Sequence, residues 1–261
     1  MNILVINDDG INSPGLWALA EALSRVGSVL VVAPENQRSG AGTSVTMVRS
    51  NITINEAPSK IPGVQTYAIG GTPCDCASWG LGRLSKEHTD LIVSGINLGP
   101  NVGYDILYSG TVMATLTGHL LRIPSVAISL AVKNYEEEMW FDAAGRVVES
   151  LARCIEKGGM RTEAILNVNV PNIPPEQVKG IMVTRAARLW YLRSRNSSSA
   201  NSHDAKTEKP EKIRFEEGSD AWALNEGYVS ITPVRFEITH HDLIPDVSRC
   251  VQDMDCEFGG Q

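Results

Sequence analysis

The feature that most limits what this chain can become is its alternation, from Asn2 to Ser129, of short β-branched runs with helical stretches. That alternation is how a parallel sheet with crossover helices is written in sequence. The runs Ile3 to Ile6, Val29 to Ala33, Leu91 to Ser94 and Ser125 to Leu130 are continuously apolar, as strands are when helices cover both faces of a sheet. They predict an α/β fold: a Rossmann-like, mostly parallel sheet with flanking helices. Ser13 before Pro14 predicts a helix that ends near Gly27. Thr72-Pro73 predicts a second helix running to about Leu84, and Ser109 a third running to about Leu121. A hydroxyl can cap free N–H groups there, and proline at the first helical position needs no donor.

Beyond Pro171 the alternation weakens. Arg193 to Lys212 is a serine-rich, charge-rich tract with no apolar period and reads as a mobile insertion. Strand-like alternation returns at Gly227 to Pro233, and Asp246 to Phe258 is of mixed character. The expected organisation is a catalytic core over 1–175, with 176–261 not an independent domain. Thirty acidic residues against 23 basic ones give a formal net charge of -7, which disfavours a nucleic-acid polymer as partner. Five cysteines with no C-x-x-C pair suggest neither a disulfide framework nor a zinc ribbon and fit reduced thiols. Met1 leads straight into a strand-like run, and no stretch reaches the roughly 18 apolar residues of a spanning helix. The expectation is a cytoplasmic protein with no membrane partner.

The chemistry concentrates in the first half. Asn7-Asp8-Asp9-Gly10 follows the first strand, at the carboxyl edge where open α/β sheets bind ligands. Two carboxylates converging at a glycine turn invite a hard, oxygen-seeking cation; the competing reading is an Asx turn with both groups in water. After the second strand, the loop from Pro34 to Gly42 brings Ser39 and Gly40 to the same edge. It lacks the spacing of a dinucleotide fingerprint or a P-loop, and a merely flexible loop is its alternative. After the third strand, Asn97 offers a neutral carbonyl oxygen. Tyr108-Ser109-Gly110-Thr111 then opens a helix whose free N–H groups suit a phosphate, although Ser109 taken alone also reads as a plain cap. His240-His241 has no partner with zinc spacing, Cys74-Asp75-Cys76 reads as packing at a helix start, and Trp17, Trp79, Trp140 and His119 are assigned to the core.

In this order the residues resemble the SurE (survival protein) family of metal-dependent 5'/3'-nucleotidases. The motifs are Ile6-Asn7-Asp8-Asp9-Gly10, Ser13-Pro14-Gly15, Ala33-Pro34 through Arg38-Ser39-Gly40, Gly71-Thr72-Pro73-Cys74-Asp75, Val93-Ser94-Gly95-Ile96-Asn97, Gly99-Pro100-Asn101 and Tyr108-Ser109-Gly110-Thr111-Val112. Asn167 to Pro171 and Gly227 to Pro233 extend the likeness into the second half. The resemblance implies that Asp8, Asp9, Ser39 and Asn97 hold one divalent cation, magnesium or manganese, and that Asn101, Ser109, Gly110 and Thr111, with Gly40 of the neighbouring loop, surround the phosphate. It further implies hydrolysis of nucleoside 5'-monophosphates, with 3'-monophosphates and short polyphosphate as further substrates. It also implies an extended β arm and a C-terminal segment exchanged in a homodimer or homotetramer. Between Arg185 and Gly227 the Asp-Pro-Arg-Gly and Trp-Leu-Gly-Gly stretches that the family often carries are missing, a departure that bears on assembly and on substrate contacts from the arm. Attack on phosphorus by water or by Asp8 stays open from sequence, with Asp9 assigned to the cation. The rivals are a nucleotide or metal sensor without turnover and, more weakly, a group-transferring doubly wound enzyme.

Overall fold

The computed structural model describes residues 1–47, 52–134, 136–161, 163–188 and 215–255. Nine strands form one sheet: β1 (Asn2–Ile6), β2 (Ser28–Pro34), β3 (Ile54–Glu56), β4 (Gln65–Ile69), β5 (Leu91–Leu98), β6 (Ser125–Ala131), β7 (Ile165–Pro171), β8 (Ile181–Val183) and β9 (Val229–Val234). Their order is β3-β4-β2-β1-β5-β6-β7-β9-β8. From β4 to β7 every pairing is parallel, while β3 and β9 run antiparallel to β4 and β7. The chain steps outward one way from β1 through β2 to β4, and the other way from β5 through β6 to β7. The order therefore reverses between β1 and β5, and the carboxyl ends of those two strands frame the crevice where such sheets take ligands.

Among the described residues six α-helices accompany the strands: α1 (Pro14–Ser24), α2 (Pro73–Trp79), α3 (Gly110–Leu120), α4 (Phe141–Glu156), α5 (Asp220–Asn225) and α6 (Ile244–Asp255). Helices α1 and α4 pack together on one face, and α2 and α3 on the other. The alternation within β1 shows how two cores arise from one strand, since side chains two apart share a face. Ile3 and Val5 join the core under α1 and α4, and Leu4 and Ile6 join the one under α2.

All four predicted strands form, within a residue or two at most ends. The third runs on from Ser94 to Leu98 through a bulge, where Gly95 and Ile96 together oppose Ile128 alone; a bulge adds a residue and re-aims the side chain beyond it. Three expectations need correction. Ser13 precedes α1 but makes no capping hydrogen bond, and its hydroxyl is buried with no hydrogen-bond partner among the described residues. The second helix is α-helical only to Trp79 and then widens into a π-helical turn over Gly80–Leu84. The segment of mixed character near the C-terminus is helical as far as Asp255, within α6, and its residues 256–258 lie outside the described ones. The serine-rich tract over 193–212 lies outside the described residues. Trp17 is buried, Trp79 packs half-buried against the α2 core, and Trp140 stands one residue before α4. No helix among the described residues is long and apolar enough to cross a membrane.

Candidate active site

β1 ends at Ile6, and the chain turns at once. The Asn7 amide donates to the Gly10 carbonyl at 3.0 Å, and Gly10 takes φ +93, the left-handed region that only glycine enters without strain. The turn leaves Asp8 buried and Asp9 half-buried, side by side at the point where the strand order reverses.

Each carboxylate is tied to a different neighbour. Thr111, at the start of α3, donates its hydroxyl to Asp8 Oδ1. Gly110 backs onto the same group: a Cβ there would lie 3.0 Å from Asp8 Cβ and 3.1 Å from Oδ2. Asp9 Oδ2 accepts the Leu98 N–H at 3.1 Å, from the residue after Asn97 on β5. The Gln37 amide then spans from Asp9 to Ser39, donating to Asp9 Oδ1 at 3.4 Å and to Ser39 Oγ at 3.0 Å. Asn97 is buried, and its Nδ2 donates to the Gly99 carbonyl at 2.7 Å. Ser39 and Gly40 are exposed on the loop after β2, and that loop is stitched to the site by Arg38 N–H donating to the Asp8 carbonyl at 2.7 Å and Gly42 N–H to the Tyr108 carbonyl at 3.1 Å.

Burial raises the Asp8 carboxyl above the usual carboxylate range, against the pull of the Thr111 hydroxyl. Asp9 is pushed up to about 6, first by burial and then by the charge of Asp8, with the Leu98 N–H and the Gln37 amide acting the other way. Two adjacent carboxylates that resist ionising together form a site that a cation would relieve. Among the described residues no three His, Cys, Asp or Glu side chains gather around a metal-sized space. A cation held here would take two carboxylates and complete its shell with neutral oxygens, the ligand chemistry of magnesium or manganese. The donor set fits such an ion.

The remaining predicted residues divide. Ser109 occupies the N-cap of α3 and accepts from Val112 N–H at 3.1 Å. The backbone N–H groups of Gly110 and Thr111 belong to the first turn, whose donors have no partner inside the helix. Asn101 is buried toward β6 and β7, with Nδ2 donating to Ser129 Oγ at 2.9 Å. His119 is half-buried on α3 beside the Glu163 carbonyl, and His240 and His241 are exposed.

A family model described as Survival protein SurE matches residues 3–192. The chain belongs to the SurE family. Relatives named 5'-nucleotidase SurE include one from Dehalococcoides mccartyi (strain CBDB1), 41% identical over an alignment of 248 residues, with 89% of this chain and 88% of the relative covered. Another, from Clostridium beijerinckii, is 38% identical over 95% of this chain and 98% of its own. The crystal structure of the SurE protein from Aquifex aeolicus superimposes with a TM-score of 0.76 at 33% identity, covering 96% of this chain and 99% of that one.

Within this SurE site several contributors are not visible in the motifs. Gln37 sits between Asp9 and Ser39 with nothing in the sequence to distinguish it from its loop. The Leu98 N–H reaches Asp9 only because the β5 bulge shifts the register. Asn167 and Asn169 left a fainter signal, two amides alternating inside an otherwise apolar strand.

Proposed function

We propose that this SurE-family chain is a metal-dependent phosphatase that hydrolyses nucleoside 5'-monophosphates to nucleoside and phosphate. Enzyme class and nucleotide substrate are supported by family membership and by relatives that carry the name 5'-nucleotidase over about nine-tenths of both chains. The observation that carries the metal dependence is the Asp8-Asp9 pair at the strand-order reversal, Asp8 buried and hydrogen-bonded to the first turn of α3, Asp9 half-buried and hydrogen-bonded to Leu98 and Gln37. Asp8, Asp9, Ser39 and Asn97 would hold one divalent cation, magnesium or manganese. Bound there, it supplies positive charge against the phosphate oxygens.

The protein's own groups do the rest. The Gly110 N–H and the Ser109 hydroxyl, with Gly40, Asn101 and Thr111, whose own N–H and hydroxyl hold Asp8, surround the phosphate, where fixed donors stabilise the charge that builds during transfer. Thr111 holds Asp8 in one rotamer, and Leu98 and Gln37 do the same for Asp9. Buried, free Cys74 and Cys76 support a reducing cytoplasm as the compartment. Exposed Ile238, Leu243, Ile244, Val247 and Val251 support the C-terminal segment as a contact between copies in a homodimer or homotetramer.

A panel of nucleoside 5'- and 3'-monophosphates, short polyphosphate and p-nitrophenyl phosphate tests the reading. Hydrolysis of 5'-monophosphates should vanish with chelator and return with Mn2+ or Mg2+. Nucleotide binding without turnover under any of Mg2+, Mn2+ or Co2+ would identify a sensor instead.

A further inference from the structure

The carboxyl edge carries a second polar cluster that the metal ligands do not use. Asn101 is fixed through its main chain: its N–H donates to Asn169 Oδ1 at 2.8 Å, and its carbonyl accepts from Asn167 Nδ2 at 2.8 Å and from Asn169 Nδ2 at 3.0 Å. Its own Nδ2 donates to Ser129 Oγ. Asn167, Asn169 and Ser129 have no solvent exposure at all. Being two apart on β7, the two asparagines point the same way, and Ser129 on β6 lies in register with Asn169. A carboxamide is the side chain that can give and accept at once, so Asn169 closes a two-point contact on both polar atoms of one residue's backbone. Aspartate in its place would lack the donor, and an aliphatic residue, which the rest of β7 favours, would lack both. Two residues further along, the Gly103 N–H donates to Asp220 Oδ2 at 2.9 Å, and the other oxygen of that buried carboxylate accepts from Ala187 N–H at 2.9 Å and Ala221 N–H at 2.7 Å. The loop between β5 and α3 is thus anchored at Asn101 to β7 and at Gly103 to the start of α5, both from the second half of the chain.

We propose that Asn169, with Asn167 beside it, is a positioning residue that sets Asn101 against the phosphate; this rests on the reading above that Asn101 contacts phosphate. The β7 asparagines reach Asn101 by hydrogen bonds to its backbone, so their effect passes through it. Displacing a group by about 1 Å can cost on the order of a hundredfold in rate.

The test is a double-mutant cycle with Mn2+-loaded protein and adenosine 5'-monophosphate, accompanied by calorimetric binding of inorganic phosphate. Asn169→Ala should lower kcat/KM by roughly ten- to a hundredfold and weaken phosphate binding, with a cooperative thermal transition retained. Asn101→Ala should lose at least as much. The pair together should be no worse than Asn101→Ala alone, because without that side chain there is nothing left to position. Should Asn169→Ala not fold, Asn167→Ala, which removes one of the two donors to the carbonyl, is read by the same criteria. Wild-type constants in the β7 variant, or losses that multiply in the double variant, overturn the proposal. If Asn101→Ala itself behaves as wild type, the phosphate assignment of Asn101 fails first and takes this proposal with it. An impaired Asn101→Ala beside an unaffected Asn169→Ala sinks only the positioning role.

Discussion

Asp8 and Asp9 sit where folding has done something unfavourable: it removes one carboxylate from water, half-removes the next, and leaves them adjacent. A cation bound there should stabilise the fold by mass action, about 2.7 kcal/mol at a hundredfold excess over Kd. For a chain of this size that raises Tm by roughly 5 °C. Scanning calorimetry with and without Mn2+ should show the shift in the wild type and none in Asp9→Asn. The same substitution should lower kcat by about 100- to 1,000-fold. A full Mn2+ shift in Asp9→Asn would remove Asp9 from the ligand set. Gly110 is constrained differently, because a methyl there would press on Asp8 and on Pro73 Cγ at 3.1 Å. Gly110→Ala should therefore fold with a loss of about 1–3 kcal/mol while turnover drops at least tenfold, read from urea unfolding and steady-state rates on the same sample. Retained turnover would show that α3 can shift away from Asp8 without consequence. At this scale the charged and hydroxyl partners were legible because Asp-Asp-Gly after a strand and Ser-Gly-Thr at a helix start are unusual chemically. Gln37 and the Leu98 N–H were not, since a backbone donor has no signature and its placement depends on the register of β5 against β6.

Among elements, the strands were legible where both faces are apolar, as in β1 and β2. β4 and α4 were not. β4 (Gln65–Ile69) mixes polar and apolar residues, and α4 begins after Trp140, which provides no side-chain cap. The bulge that separates Ser94 from Asn97 was equally hidden, because an extra residue is defined by the partner strand. Its effect reaches across the sheet: Asn97 pairs with Ser129, Ser129 with Asn169, and Asn169 with Ser230. One register line of buried polar side chains therefore crosses four strands just under the site, and a slip of one residue would turn it into the opposite layer. On the other side of the crevice, α2 starts with a capping box in which Thr72 Oγ1 accepts from Asp75 N–H at 3.2 Å and Asp75 Oδ2 from Thr72 N–H at 2.8 Å. Asp75 also accepts from Thr46 N–H at 3.0 Å and Met47 N–H at 3.2 Å, holding the far end of the segment that carries Ser39. Asp75→Ala leaves those donors without their acceptor and should cost about 1–3 kcal/mol, with KM rising more than kcat falls because the loop, not the Asp8 pair, is loosened. Urea unfolding beside a KM and kcat determination checks it, and an unchanged KM would mean that Ser39 and Gly40 are held by Arg38 and Gly42 alone.

On the scale of the whole molecule, every group assigned to the reaction lies between Asp8 and Thr111, while β7 and α5 from the second half of the chain add to the bracing of the loop at Asn101 and Gly103. The last elements do neither. Val234 and Phe236 still pack on the α3 core, but Ile238 is 95% exposed and the segment from Thr239 to Val251 is exposed throughout. Ile244, Val247 and Val251 follow helical spacing, so α6 offers an apolar stripe with no counterpart among the described residues of its own chain. A helix of 12 residues is marginal by itself in water, which favours burial of that stripe against another copy. Ending the chain after Thr239 should then reduce the assembly to monomer by light scattering. Hydrolysis per chain should stay within a few fold of wild type, because the cut lies beyond β9 and beyond the Asp220 anchor. An unchanged mass would place the contact between copies elsewhere. A truncated monomer that had lost turnover would instead mean that the partner copy completes the site, and that the crevice at the β1–β5 reversal is insufficient by itself.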